Sequence, residues 1–167
     1  MSAERAAGLR RKLVSPFWFR LFTFTRLPLA WFAGLRVVEL GETTCRVAVP
    51  YGWRSQNPFR SIYFAALAMA AELSTGALAW LATEETGASV AMLVVKLEAS
   101  YGKKADGRTT FTCEQGAEIT RAVQEAVATG EPRTVRAETI GRLADGTEVA
   151  RFHFTWSFKA RAGKSAA

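Results

Sequence analysis

Residues 61–83 read SIYFAALAMAAELSTGALAWLAT, and the rest of the fold can be worked outward from them. Between Arg60 and Glu84 these 23 residues carry one charge, Glu72, and eight alanines. Alanine and leucine favour helix, so one long helix is expected. Its length would cross a bilayer. A carboxyl at mid-span costs about 2.5–3.5 kcal/mol on the insertion scale, and alanine offsets little of it. Ser74, Thr75 and Gly76 weaken the membrane reading further. A helix apolar on every side and rich in small residues is expected at the buried centre of a domain, where neighbours approach closely.

On the C-terminal side the pattern turns to strand. Ser89 to Tyr101 exceeds an ordinary strand length, so a bend is expected within it. Lys103 to Gly107 reads as a turn and Arg108 to Cys113 as the returning strand. Glu118 to Ala128 is an amphipathic helix stopped by Gly130 and Pro132. Thr134 to Leu143, the turn Asp145-Gly146 and Glu148 to Phe158 make a hairpin. In its last strand Phe152, Phe154, Trp156 and Phe158 share one face, and His153, Thr155 and Ser157 the other.

On the N-terminal side, Pro50 to Pro58 is a loop. It is preceded by strands at Leu35 to Leu40 and Thr43 to Val49, with a turn at Gly41-Glu42. Before these, Arg5 to Leu13 reads as helix, Ser15-Pro16 as a new helix start, and Pro28 as the close of a helical arm. The order is arm, two strands, long helix, two strands, helix, two strands. A nonpolar helix needs cover on most sides, and antiparallel strands curling around it supply that, which is an α+β architecture. We divide the chain into an arm at 1–33, one domain at 34–158 and a basic tail at 159–167.

The formal charge of +7 sits at the ends. Residues 1–26 have a net charge of +5 and residues 159–167 of +3, whereas 27–158 sum to −1. With a near-neutral body and no helix-turn-helix, zinc-finger or aromatic–basic signature, no nucleic-acid partner is expected. Cys45 and Cys113 lie 68 positions apart and match no metal-ligand spacing, so reduced thiols in a cytosolic protein are expected, with no metal and no cofactor. The arm crowds Phe17, Trp18, Phe19, Phe22, Phe24, Trp31 and Phe32 into sixteen positions. Packing on the domain or across a dimer is the favoured reading. A peripheral membrane contact through residues 17–32, aromatics on one side and arginines on the other, is the alternative.

One segment carries a resemblance. Asn57-Pro58-Phe59-Arg60-Ser61-Ile62-Tyr63-Phe64-Ala65, then Ala71-Glu72, is similar to the Asn-Pro-x-Gly-x-x-His-Gly-Gly segment and following Ala-Asp or Ala-Glu of the hotdog thioesterase superfamily, as in phenylacetate-pathway and 4-hydroxybenzoyl-CoA thioesterases. Arg60 stands for the first glycine and Tyr63-Phe64-Ala65 for His-Gly-Gly. In this form, and in Tyr101-Gly102-Lys103-Lys104-Ala105-Asp106-Gly107, the chain looks most like a poorly characterised bacterial branch, a domain of unknown function near the acyl-CoA thioesterases. The resemblance covers roughly residues 28–158. It implies a hotdog fold, a long central helix wrapped by a curled antiparallel sheet, and an acyl-CoA or other acyl thioester as partner, either hydrolysed or merely bound.

Glu72 is the leading catalytic candidate. A lone carboxyl on a buried helix has a raised pKa, since desolvation disfavours its charged form, and such a carboxyl can serve as base or nucleophile. It could equally be bonded to a serine, a backbone amide or an arginine across a subunit interface, in a purely structural role. Asn57-Pro58 alone reads as a helix start. The resemblance implies instead that the helix begins nearer Tyr63–Ala65, with Asn57 beside the substrate as a second catalytic residue and Ser61, Tyr63, Phe64 and Ala65 binding it. Free backbone N–H groups near Ala65 would then face the thioester oxygen. Ala65 and Glu72 lie two turns apart on one helix face, ~10.5 Å along the axis. One carbonyl cannot reach both, so a two-fold homodimer with antiparallel central helices is expected. His153 in the last strand is expected to be half-exposed, and Ser74 and Thr75 to be helix-packing residues. No serine triad is supported.

Overall fold

A computed structural model describes residues 2–161. Three helices form the arm: α1 (Ser2–Val14), α2 (Pro16–Arg26) and α3 (Pro28–Ala33). Strands β1 (Arg36–Leu40) and β2 (Cys45–Val49) precede the central helix α4 (Phe64–Thr86). Then come β3 (Val90–Tyr101), β4 (Thr109–Cys113), α5 (Gly116–Thr129), β5 (Arg133–Arg142) and β6 (Glu148–Ala160). The strands form one antiparallel sheet in the order β1-β2-β4-β5-β6-β3. This is the hotdog arrangement, with α4 held against the sheet by β1, β2, β4, β5 and β6 and flanked by α1 and α5.

α4 is long and apolar enough to cross a membrane, yet 67% of its most apolar window is buried inside the fold. Its alanines lie flush against neighbours, with Ala70, Ala71 and Ala79 fully enclosed. Two hydroxyls pin it to the sheet. Ser74 Oγ shares a 2.8 Å hydrogen bond with Thr139 Oγ1 of β5, and Trp156 Nε1 of β6 donates to Thr75 Oγ1 at 2.9 Å. Both are buried packing residues, as their place on the helix suggests. From β6, Phe152, Phe154, Trp156 and Phe158 are all buried, and His153, Thr155 and Ser157 are half-buried on the opposite face. There His153 Nε2 lies 2.9 Å and Arg151 Nη1 2.7 Å from Glu138 Oε2, and the Arg151 hydrogen bond holds the Glu138 carboxyl below its usual range. This partly exposed network is a surface feature of small energetic weight.

Several boundaries differ from expectation for local reasons. Pro28 opens α3 as its first residue rather than closing the arm, because its fixed φ suits a first turn where no N–H is needed. β6 runs on to Ala160 through pairing with β3, so Lys159 belongs to the sheet, and residues 162–167 of the expected tail lie outside the described residues. The bend expected in β3 is a bulge between Val94 and Lys96. The extra residue, Val95, returns Leu97 to the face that Val94 occupies.

The arm is anchored by one face only. Ala6 and Leu13 of α1 and Phe19 and Thr23 of α2 are buried, and Phe22 meets Trp80 of α4 at 5.6 Å between ring centroids. Phe17, Trp18, Phe24 and Phe32 are exposed in the single chain, which leaves them for a dimer contact or a membrane surface. A short helix lying on a domain can bury one side, and α2 spreads aromatics over both.

Cys45 and Cys113, far apart in sequence, face each other directly across β2 and β4, reduced and fully buried. Burial pushes the Cys113 thiol up to about 11 and Cys45 higher still. Thiolate is therefore scarce at neutral pH, and neither cysteine is expected to react with a thiol-specific disulfide reagent until the protein unfolds. Rapid modification of the folded chain at pH 8 would contradict the buried pair.

Candidate active site around Glu72

α4 carries Glu72 on a side that faces the arm. Ser74 and Thr75, two and three residues on, tie the helix to β5 and β6. Glu72 lines an apolar cavity of about 300 Å³ with Met69 and Leu73 of its own helix, Leu35, and the arm segment Arg26 to Ala30. Desolvation in these surroundings raises its pKa from the ordinary value of 4.5. The carboxyl makes no hydrogen bond or ion pair with the described residues. Among the described residues of one chain, no serine, amide or arginine partner meets it. Arg26 lines the same cavity without pairing to it. Gly76, one turn on, leaves the space in which Glu72 sits: a Cβ there would meet Glu72 Oε1 at 3.1 Å and the Trp156 ring at 3.2 Å.

The loop before α4 follows the resemblance rather than the helix-start reading. α4 begins at Phe64, with Tyr63 as its N-cap in extended conformation. Asn57 lies in the loop, where its Oδ1 accepts from the N–H groups of Phe59 (3.0 Å) and Ser61 (3.2 Å) and so holds a tight turn. Ser61 Oγ accepts from Ala105 N–H at 3.2 Å and donates to Ala105 carbonyl at 3.3 Å. Ile62 N–H also donates to Ala105 carbonyl, so the 103–107 turn clasps the loop that feeds the helix. Tyr63 and Phe64 are exposed and meet edge to face at 4.8 Å. The backbone N–H groups of Phe64 and Ala65 find no acceptor among the described residues, as the first turn of a helix dictates.

Arg60 adopts φ 57°, the left-handed conformation, at the position where the resemblance has glycine. For a residue with a side chain this costs ~1–2 kcal/mol. Glycine relieves that strain but loses more freedom on folding. Arg60→Gly is expected to gain about 0.5–1 kcal/mol net, or ~1–4 °C in Tm. Calorimetry tests this, and a lowered Tm would mean that the Arg60 side chain makes a contact worth more than its strain.

The predicted site residues thus form two groups in one chain. Glu72 is in the cavity under the arm, and none of Asn57, Ser61, Tyr63, Phe64 or Ala65 lines that cavity. Sequence reasoning missed the arm segment Arg26 to Ala30 as the cavity's outer wall. Its only signal was an apolar run placed beside a proline.

A family model described as a domain of unknown function, DUF4442, matches residues 17–158. The chain belongs to the DUF4442 family. The DUF4442 match begins inside α2, so the whole wall-forming segment Arg26 to Ala30 falls within it. Solved structures share the fold at low identity. A Pseudomonas aeruginosa protein of unknown function, described as "Probable Thioesterase", is 18% identical with a TM-score of 0.72, over 90% of this chain and 99% of its own. A Chlorobaculum tepidum protein of unknown function is 15% identical with a TM-score of 0.72, over 89% and 99%. A Haemophilus influenzae thioesterase is 11% identical with a TM-score of 0.65, over 95% and 99%. At these identities the likeness is one of fold. No curated protein sequence matches the DUF4442 chain.

Proposed function

We propose that this DUF4442 chain hydrolyses acyl thioesters, acyl-CoA or an acyl group on another carrier, as a homodimer in which Glu72 is the base. The observation that carries this is a carboxyl with a raised pKa, without a partner among the described residues, in an apolar cavity of about 300 Å³. The cavity offers an acyl chain burial and places one polar group beside it. Fold relatives described as thioesterases support the same reading. In this mechanism ionised Glu72 takes a proton from water, and the resulting hydroxide adds to the thioester carbonyl. The C–O bond forms, the oxyanion is held by backbone N–H groups at Phe64 and Ala65, and the C–S bond then breaks with the proton passing to the thiol. A covalent variant has Glu72 attack the carbonyl itself, breaking the C–S bond and releasing the thiolate, which takes a proton from water, before water hydrolyses the anhydride and frees Glu72.

An open edge supports the homodimer. β3 has twelve residues, pairs on one side only, and exposes Leu93, Val95, Leu97 and Tyr101. A long apolar edge strand is an aggregation template unless something covers it, and a second copy in two-fold register does so. In the proposed dimer the same symmetry would bring the α4 N-terminus of one subunit toward Glu72 of the other. The apolar walls of the cavity also suit a non-catalytic module that binds an acyl chain, and a single assay separates the two. Across a panel of acyl-CoA chain lengths, hydrolysis is expected for chains that fit the cavity, with light scattering giving a dimer at micromolar concentration. Tight acyl-CoA binding without turnover would establish the module instead, and a monomer would remove the shared site.

A further inference from the structure

A second cavity, of about 200 Å³, lies at the junction of α2, the start of β1 and the end of β2. Its lining includes Arg20 of α2, Arg36 of β1, Arg54 of the loop after β2 and Arg108 just before β4, and among the described residues no carboxylate. None of the four guanidinium groups makes an ion pair with the described residues, whereas Arg46, Arg133, Arg136, Arg142 and Arg151 each do. Arg20 stacks over Trp31 at 5.8 Å, which orients it without neutralising it. The backbone makes room for the cluster. Gly34 ends α3 at φ 77°, and a Cβ there would come within 3.2 Å of Pro50 Cγ and 3.3 Å of Arg54 Nη2. Ala48, directly opposite Arg36 across β1 and β2, is a small residue at the cavity floor, 2% exposed although it lies on the sheet face away from α4.

Four like charges converging without a counter-charge repel one another, and an anion between them relieves that repulsion. The guanidinium fork matches phosphoryl oxygens, to which it donates paired hydrogen bonds. We propose that Arg20, Arg36, Arg54 and Arg108 form a phosphoryl-binding pocket. It stands on charge and shape, independently of thioester hydrolysis. Two sources share this chemistry: the phosphates of a soluble carrier such as coenzyme A, and the headgroup phosphates of an anionic membrane. The second draws on the exposed Phe17, Trp18 and Phe24, which ride on the same helix as Arg20.

The test is titration calorimetry of the full chain with pyrophosphate and with free coenzyme A, beside sedimentation with phosphatidylglycerol and with phosphatidylcholine vesicles. Binding that weakens as salt rises is expected. Arg36→Gln/Arg108→Gln is expected to weaken it by at least about tenfold, the loss of charge-assisted bonds. Arg11→Gln/Arg121→Gln, with the same change in net charge, is expected to leave it unaltered. Coenzyme A binding more tightly than pyrophosphate assigns the pocket to a soluble carrier. Selective sedimentation with phosphatidylglycerol, lost in the Arg36/Arg108 variant, assigns it to a membrane headgroup. The proposal is overturned if none of the phosphates or anionic vesicles binds above the phosphatidylcholine control, or if both double variants weaken binding equally. Thioester turnover is read separately, so either conclusion can fail alone.

Discussion

Glu72→Gln is expected to abolish thioester hydrolysis, by about 10²–10⁴-fold for loss of a general base, while the fold and the dimer persist. Glutamine matches glutamate in shape, so the cavity wall of Met69, Leu73 and Leu35 keeps its packing. The stability effect has a definite sign. Burial raises the folded pKa of Glu72 above 4.5, so ionising it costs more in the native state than in the unfolded chain. Below the unfolded value the carboxyl is protonated in both states and the penalty is absent. It grows as pH rises from there and is complete above the folded pKa. The variant, which cannot ionise, is therefore at least as stable as wild type at pH 8, and the difference between them disappears near pH 4. Chemical denaturation at the two pH values, with hydrolysis measured alongside, checks both halves. Stability gained as activity is lost marks a residue kept for chemistry. Destabilisation by several kcal/mol would instead reveal a buried charge partner contributed by the second subunit. Undiminished turnover would remove Glu72 from the mechanism.

How much of this was legible before the fold was known depends on the range of each signal. The α4 stretch was decisive because burial on all sides is written into its composition: one charge in 23 residues fixes where the helix must sit. The alternation of Phe152, Phe154, Trp156 and Phe158 was equally local, and so was the excess length that became the Val95 bulge. Glu72 could be singled out for the same reason, as the one charge in a stretch otherwise free of them. What escaped was assembled from distant segments. The facing of Cys45 and Cys113 depends on strand order, which no spacing in the chain encodes. The wall of the Glu72 cavity comes from α2 and α3, some forty positions upstream, and four arginines spread from 20 to 108 meet only once the sheet closes. Asn57 illustrates an ambiguity of the local signal itself. Asn-Pro satisfies the rules for a helix start, and here the same carboxamide holds a turn two and four residues ahead of it instead.

The shared-site mechanism makes a numerical expectation that no single-subunit site can imitate. Ala65→Pro deletes one of the two free N–H groups at the start of α4. Proline is tolerated in a first turn, since no intrahelical bond is lost, and retention of the dimer by light scattering checks that the variant folds. Alone, Ala65→Pro and Glu72→Gln should each be inactive. Mixed in equal amounts and allowed to exchange subunits, half of the dimers combine the two chains. In each such dimer one site pairs the carboxamide of the Glu72→Gln chain with the helix start of the Ala65→Pro chain and is dead. The other pairs an intact Glu72 with an intact Ala65 amide. One working site in half of the dimers restores about a quarter of wild-type activity per total protein, by the two-fold symmetry alone. If donor and base belonged to the same subunit, every site in the mixture would carry one defect and no activity would return. Ala65 and Glu72 stand two helical turns apart, ~10.5 Å along one axis, and of the two only Glu72 lines the apolar cavity within the chain. Both facts favour an oxyanion donor from across the β3 edge, so recovery near one quarter is the expected result.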